Sequence, residues 1–402
     1  ITITDNESAP TVTLSTSASS VAENGSNLTL TATLSGATSE DVTVTLTGTG
    51  TSTAGTDYAS LSTITISAGS TTGTTTFNPT DDSIYEGSET AIIAITGVSG
   101  GSATESGTQS KTITITDNES APTVTLSTSA SSVAENGSNL TLTATLSVAT
   151  TADVTVTLAG TGTSTAEVDY ASLSTITIAA GNTTGTTAFN PTDDSIYEGS
   201  ETAIIAITGV SGGSATESGT QSKTITITDN ESAPTVTLST SASSVAENGS
   251  NLTLTATLSG ATSEDVTVTL TGTGTSTAGT DYASLSTITI SAGSTTGTTT
   301  FNPTNNSIYE GSETAIIAIT GVSGGSATEN GAQSQTITIT DSLSAPTVTL
   351  STSASSVAEN GSDLTLTATL NRQTFEDVTV TLTGTGTSTT GTDYASLSTI
   401  TI

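Results

Sequence analysis

Between residues 11 and 122 the chain carries eleven carboxylates, and eight of them fall into four short boxes. These are Glu23 in VAENGS, Asp57 in GTDY, Asp81, Asp82, Glu86 and Glu89 in DDSIYEGSE, and Asp117 and Glu119 in TDNES. Carboxylates held side by side repel by roughly 1 to 4 kcal/mol per close pair at surface dielectric, so a cation belongs among them. The protein itself supplies few: Lys111, Lys223 and Arg372 stand against 37 Asp and Glu, for a net charge of −34. Hard divalent ions take oxygen ligands, and Ca²⁺ accepts six to eight of them in flexible geometry that loops can meet. Ca²⁺ is therefore the expected cofactor.

Other chemistries are poorly served. His, Cys, Met and Trp are absent, which removes the imidazole base, the thiolate nucleophile, disulfides and His/Cys zinc or haem ligation. Adjacent acids such as Asp81 and Asp82 could in principle serve glycoside hydrolysis, but a metal suits a periodic acidic loop better, and no enzyme is expected. The glycine-rich GTGTSTAGTDY lacks the Lys and the helix of a phosphate-binding loop. A surface this negative repels nucleic acid and anionic lipid. No apolar run is long enough to span a bilayer, so neither nucleic-acid partners nor membrane insertion are expected.

The boxes recur because the chain recurs. Pro10, Pro122, Pro234 and Pro346 head near-identical segments at a period of 112, and nine substitutions separate residues 11–122 from 123–234. The expected divisions are the end of a preceding copy at 1–9, copies at 10–121, 122–233 and 234–345, and a partial fourth at 346–402. Within a copy, TVTL, LTLTATL, DVTVTL, STITI, TTTF, TAIIAI and TITIT alternate apolar residues with Thr or Ser. That is the pattern of half-buried strands. Seven such strands predict an all-β fold of tandem immunoglobulin-like antiparallel β-sandwiches in an extended rod. Up-and-down strands bring the first, third and fourth boxes to one end of each sandwich, whereas the place of the Asp57 box depends on strand order, which spacing leaves open.

The third copy departs from this pattern. Residues 235–346 hold eight carboxylates, because Asn305 and Asn306 replace the Asp pair and Leu343 replaces the acid at the Glu119 position. All three losses fall in the boxes, which suggests that the boxes serve one site and that the third copy binds calcium weakly or holds fewer ions.

From VAEN through GTDYAS, DDSIYEGSE and the closing ITITDNE, the sequence resembles the Calx-beta domain, the immunoglobulin-like calcium-binding repeat of sodium–calcium exchangers, integrin beta-4 and large bacterial surface proteins. The resemblance covers the whole chain as tandem copies. It implies ligand roles for Glu23, Asp57, Asp81, Asp82, Glu86, Glu89, Asp117 and Glu119, with Ile84 contributing its carbonyl. It implies the same for Glu135, Asp169, Asp193, Asp194, Ile196, Glu198, Glu201, Asp229 and Glu231 in the second copy. In the third copy Glu247, Asp281, Glu310, Glu313 and Asp341 remain.

The leading functional expectation is a structural stalk or filament, extracellular or on a bacterial cell surface, whose junctions are stiffened by Ca²⁺. Its partners are neighbouring repeats, with lateral or end-to-end self-association open. An adhesin gripping a glycan or protein is the alternative, although few exposed aromatics offer it a hot spot. A calcium-sensing regulatory module ranks third.

Overall fold

The computed structural model describes Ile1 and residues 6–402, so the expected tail of a preceding copy falls, at residues 2–5, outside the described residues. The chain forms two compact units, Ile1–Asp193 with Glu201–Thr228, and Asp194–Ser200 with Asp229–Ile402. No helix among the described residues is long and apolar enough to cross a membrane.

The first copy shows how the alternation becomes a sandwich. Its strands are β1 (Thr11–Thr16), β2 (Ser20–Ala22), β3 (Leu28–Leu34), β4 (Val42–Gly50), β5 (Ile64–Ile66), β6 (Thr72–Phe77), β7 (Ile84–Tyr85), β8 (Glu89–Ser99), β9 (Thr104–Glu105) and β10 (Ser110–Thr116). One sheet runs β6-β3-β1-β9 and the facing sheet β2-β10-β8-β4-β5. Successive side chains of a strand point to opposite faces, so the LTLTATL of β3 sends Leu28, Leu30, Ala32 and Leu34 inward. In β8 the inward row is Ala91, Ile93 and Ile95, and β10 adds Ile113 and Ile115.

At the centre of the core the rings of Tyr58 and Phe77 stack at 4.8 Å, both fully buried. Each such ring contributes about 3 to 5 kcal/mol against its truncation to Ala. Gly48 makes room for this: a Cβ there would overlap the Tyr58 hydroxyl.

The seven expected strands are β1, β3, β4, β5, β6, β8 and β10. Three more, β2, β7 and β9, are two or three residues long, too short to display a period. All three pair in parallel: β2 with β10, β9 with β1, and β7 with Ala149–Thr150 of the second copy. The expected antiparallel sandwich is present, with these short parallel strands added at its edges. The chain crosses between sheets from β1 to β2, which leaves β2 running alongside the last strand of the copy rather than against it.

The second copy repeats both sheets, and within the second unit the third copy does so again. Ile196–Tyr197 pairs in parallel with Ala261–Thr262, as β7 does with its neighbour. At the next period the contact narrows to a single bridge between Tyr309 and Thr374. The fourth copy contributes Val348–Thr352 paired with Leu366–Leu370, and Thr379–Val380 paired with Ile400–Thr401.

Candidate metal centre

The short strand β2 builds the centre. Its parallel register sets Ala22 beside Thr116, so the next residue of each strand, Glu23 and Asp117, emerges at the same edge. Glu23 N–H donates to the Thr116 carbonyl at 3.0 Å, and Gly25 N–H closes a turn onto the Ala22 carbonyl at 2.8 Å. Glu23 is only 5 % exposed.

Asp117 is oriented by backbone donors. Its Oδ2 accepts from Glu86 N–H at 2.6 Å and Gly87 N–H at 2.7 Å, and its Oδ1 from Glu119 N–H at 2.8 Å. Burial works to raise the Asp117 carboxyl, but these three donors outweigh it and hold the group below its ordinary range. Asp117 is thus a fixed anion around which Glu23 and Glu119 gather, with one oxygen from each of the three within 4.8 Å of the others.

Asp57 joins by another route. In the β4·β8 pairing Gly50 lies opposite Ala91, so the loop leaving β4 meets the residues entering β8. Ser52 N–H donates to the Thr90 carbonyl at 3.1 Å, and the Asp57 side chain accepts from Thr53 N–H. The result is a second trio, Asp57, Glu86 and Glu89, with the same 4.8 Å spread. Strand order therefore resolves what spacing left open.

The electrostatics match the crowding. Burial first, and then Asp117, Glu86, Asp82 and Glu119, push the Glu23 carboxyl up to about 7. Burial and then Asp57 and Glu86 push Glu89 to about 7 as well. Because Asp82 acts on both Glu23 and Glu86, the two trios share one end of the sandwich. The Oε2 of Glu23 is buried with no hydrogen-bond partner. A buried anionic oxygen in that state is costly unless a cation meets it.

Two carboxylate oxygens on one Ca²⁺ lie no farther apart than two Ca–O bonds of about 2.3 to 2.6 Å laid end to end. A spread of 4.8 Å meets that limit. The donors are all hard oxygens, so the residues present fit calcium.

Asp81 and Asp82 are exposed, and neither enters a trio. Asp82 accepts from Ile84 N–H at 2.7 Å, a local turn that holds it at the rim. Asp81 is close enough to add to the upward push on Glu119. Ile84 itself lies in β7, in register with Ala149 of the next copy.

In the second copy Glu135 and Asp169 are buried as Glu23 and Asp57 are. Asp229 accepts from the N–H groups of Glu198, Gly199 and Glu231, and Asp194 from Ile196 N–H. Asp193 is exposed like Asp81, and Glu201 opens the strand that matches β8.

The third copy keeps one trio and loses the other. Asp281, Glu310 and Glu313 retain the 4.8 Å grouping, and Glu313 is pushed up to about 7 by burial, Asp281 and Glu310. Asp341 holds the same backbone turn, accepting from Leu343 N–H at 2.7 Å, but Leu343 brings no carboxylate to Glu247. Neutral amides fill the rim: Asn306 Nδ2 donates to Glu310 Oε2 at 2.9 Å, and Ser342 Oγ bonds Asn305 Oδ1 at 2.8 Å. Arg372, from the fourth copy, also acts on Asp341. Nothing within one copy marks that role, because the residue answers a site in the preceding copy.

The LapA domain model matches residues 9–118 and 121–230, and the Calx-beta domain model matches 229–343. No curated protein matches the sequence. Among solved structures, a tetra-tandem repeat in the extending region of a large adhesion protein is similar over 92 % of this chain and 94 % of its own, at 15 % identity and a TM-score of 0.35. CBD12 from CALX1.2 covers 54 % of this chain and 99 % of its own at 15 % identity, with a TM-score of 0.25. The LapA model alone accounts for more than half of the residues, so the chain belongs to the LapA domain family and is built of tandem Calx-beta-like repeats.

Proposed function

We propose that this chain is a load-carrying segment of an extracellular, bacterial cell-surface stalk, with copies at 10–121, 122–233 and 234–345. Ca²⁺ held at the acidic end of each sandwich stiffens the junction with the next. The observation that carries the reading is Glu23: a 95 %-buried carboxylate with an unpartnered oxygen, set against Asp117 and Glu119. Glu86, which belongs to the second trio, follows directly on β7, the strand that pairs with the next copy. An ion there would neutralise the end and fix the strand pair at once.

In this reading Glu23, Asp117 and Glu119 hold one ion, and Asp57, Glu86 and Glu89 a second. Asp81, Asp82 and the Ile84 carbonyl complete the coordination from the rim. Glu135, Asp229 and Glu231, with Asp169, Glu198 and Glu201, serve the second copy, and Asp281, Glu310 and Glu313 serve the third. The protein does no chemistry on a substrate; its oxygens exclude water from the ion and exchange electrostatic repulsion for bridging. Millimolar external calcium suits loop sites of modest affinity.

Small-angle scattering and calorimetry with calcium and with a chelator test this. Chelation is expected to shorten the maximum dimension and lower the melting temperature. Unchanged values of both, with no calcium retained on dialysis, would overturn the reading.

A further inference from the structure

Arg372 is the only Lys or Arg after Lys223, and it stands where the earlier copies have Gly36, Val148 and Gly260. That position immediately precedes the strand that joins a copy to the one before it: Val148 precedes Ala149, which pairs with Ile84, and Gly260 precedes Ala261, which pairs with Ile196. At the third junction Tyr309 N–H donates to the Gln373 carbonyl at 3.0 Å, and Phe375 N–H donates to the Tyr309 carbonyl at 3.1 Å. Arg372 and Ile308 line one cavity. The backbone thus delivers the guanidinium beside the 305–310 loop of the third copy. This is the end that has lost three carboxylates, through Asn305, Asn306 and Leu343.

Loss of acid and gain of base at the same junction compensate one another. A nearby guanidinium supplies part of the positive charge that an acidic trio otherwise takes from a metal. Asn306 ties down Glu310 and Asn305 ties down Ser342, so the rim oxygens that an ion would otherwise organise already have partners. The influence of Arg372 on Asp341 agrees with this placement.

We infer that the junction between the third and fourth copies depends on calcium less than the first two, because the Arg372 guanidinium brings from the fourth copy positive charge that the Asp117-type end otherwise takes from a divalent ion. The inference rests on the calcium reading of the first two junctions and deepens it. The joints then differ in degree: the first two respond strongly to external calcium and the third is partly set by its own side chains. Only the Asp281 trio of the third copy remains for metal.

Hydrogen exchange on the whole 402-residue chain, with calcium and with a chelator, tests it. Chelation is expected to reduce amide protection at residues 84–85 and 149–150, and at 196–197 and 261–262, by on the order of tenfold. Residues 309 and 373–375 should change less than about twofold. Arg372→Gly, which restores the residue of the first and third copies, should cut protection at 309 and 373–375 whether or not calcium is present. The combined variant N305D/N306D/L343E/R372G should make that junction calcium-dependent and raise the calcium bound on equilibrium dialysis.

The inference is overturned if the wild-type third junction loosens on chelation as much as the other two, or if Arg372→Gly leaves it unchanged. Chelator-insensitive first and second junctions, with no calcium bound, would sink the calcium reading alone. A loosened third junction in Arg372→Gly would still identify the guanidinium as the counter-ion.

Discussion

The acidic ends of the first and third copies start from the same backbone and reach different electrostatic solutions. In both, the Asp117-type residue accepts from three N–H groups and the Glu23-type residue is buried at 5 % exposure. The first copy surrounds that pair with more acids. The third replaces acids with amides and a leucine, and Arg372 acts on Asp341 from the fourth copy. The loop framework is therefore independent of the charge it carries: backbone N–H donors shape it, and the side chains decide how the negative charge is balanced.

The largest test of this contrast is calcium withdrawal. Binding to the folded state alone stabilises a copy by about 2.7 kcal/mol at a hundredfold excess over the dissociation constant. Chelation should therefore lower protection in β8 and β10 of the first copy by up to about a hundredfold. The matching strands of the third copy, with one trio, should lose distinctly less. Equal losses in both copies would erase the contrast.

Next in size, Asp57→Asn and Asp281→Asn should weaken their own copies equally, each by about 1 to 3 kcal/mol in calcium, because that trio survives in both. Glu119→Leu, by contrast, should make the first copy behave like the third. Calcium stoichiometry by dialysis reads both effects.

The pH response of the metal-free chain comes third. Glu23 and Glu89, raised to about 7, hold protons in the folded state that the unfolded chain releases near its ordinary 4.5. Between those limits the folded state binds more protons, so stability falls as pH rises from about 4.5 to 7. Melting in chelator should thus be higher at pH 5 than at pH 8, and saturating calcium should remove the difference. In the third copy Glu313 is raised to about 7 and Glu247 is also raised, so the effect persists there in smaller measure. A melting temperature that rises with pH in chelator would contradict the crowding.

The smallest effect concerns the second copy, where Glu167 stands in place of Gly55 at a φ of 72°. A side chain in the left-handed region costs on the order of 1 kcal/mol. Glu167→Gly should recover about that amount in denaturant unfolding without changing calcium stoichiometry.

Particular residues show how far the sequence could be read. The alternation in LTLTATL or TITIT marks β3 and β10 because a burial period of two needs only four or more residues to show. SVA, IY and TE cannot display a period, so β2, β7 and β9 stayed hidden, and β2 is the strand that brings Glu23 to Asp117. Asp81 and Asp82 are expected ligands in the sequence, yet the structure keeps both outside the trios, with Asp82 accepting from Ile84 N–H.

The repeat period, the apolar–Thr alternation, the excess of hard oxygen donors and the shortage of cations were all decided by the amino-acid sequence alone, because each is a property of local order or of composition. Which carboxylates gather together, that Asp57 belongs with Glu86 and Glu89, and that Arg372 comes near enough to act on Asp341 were decided only in three dimensions. Those groupings depend on sheet order and on parallel pairing between segments far apart in the chain, and electrostatic energy depends on distance in space rather than on separation along the backbone.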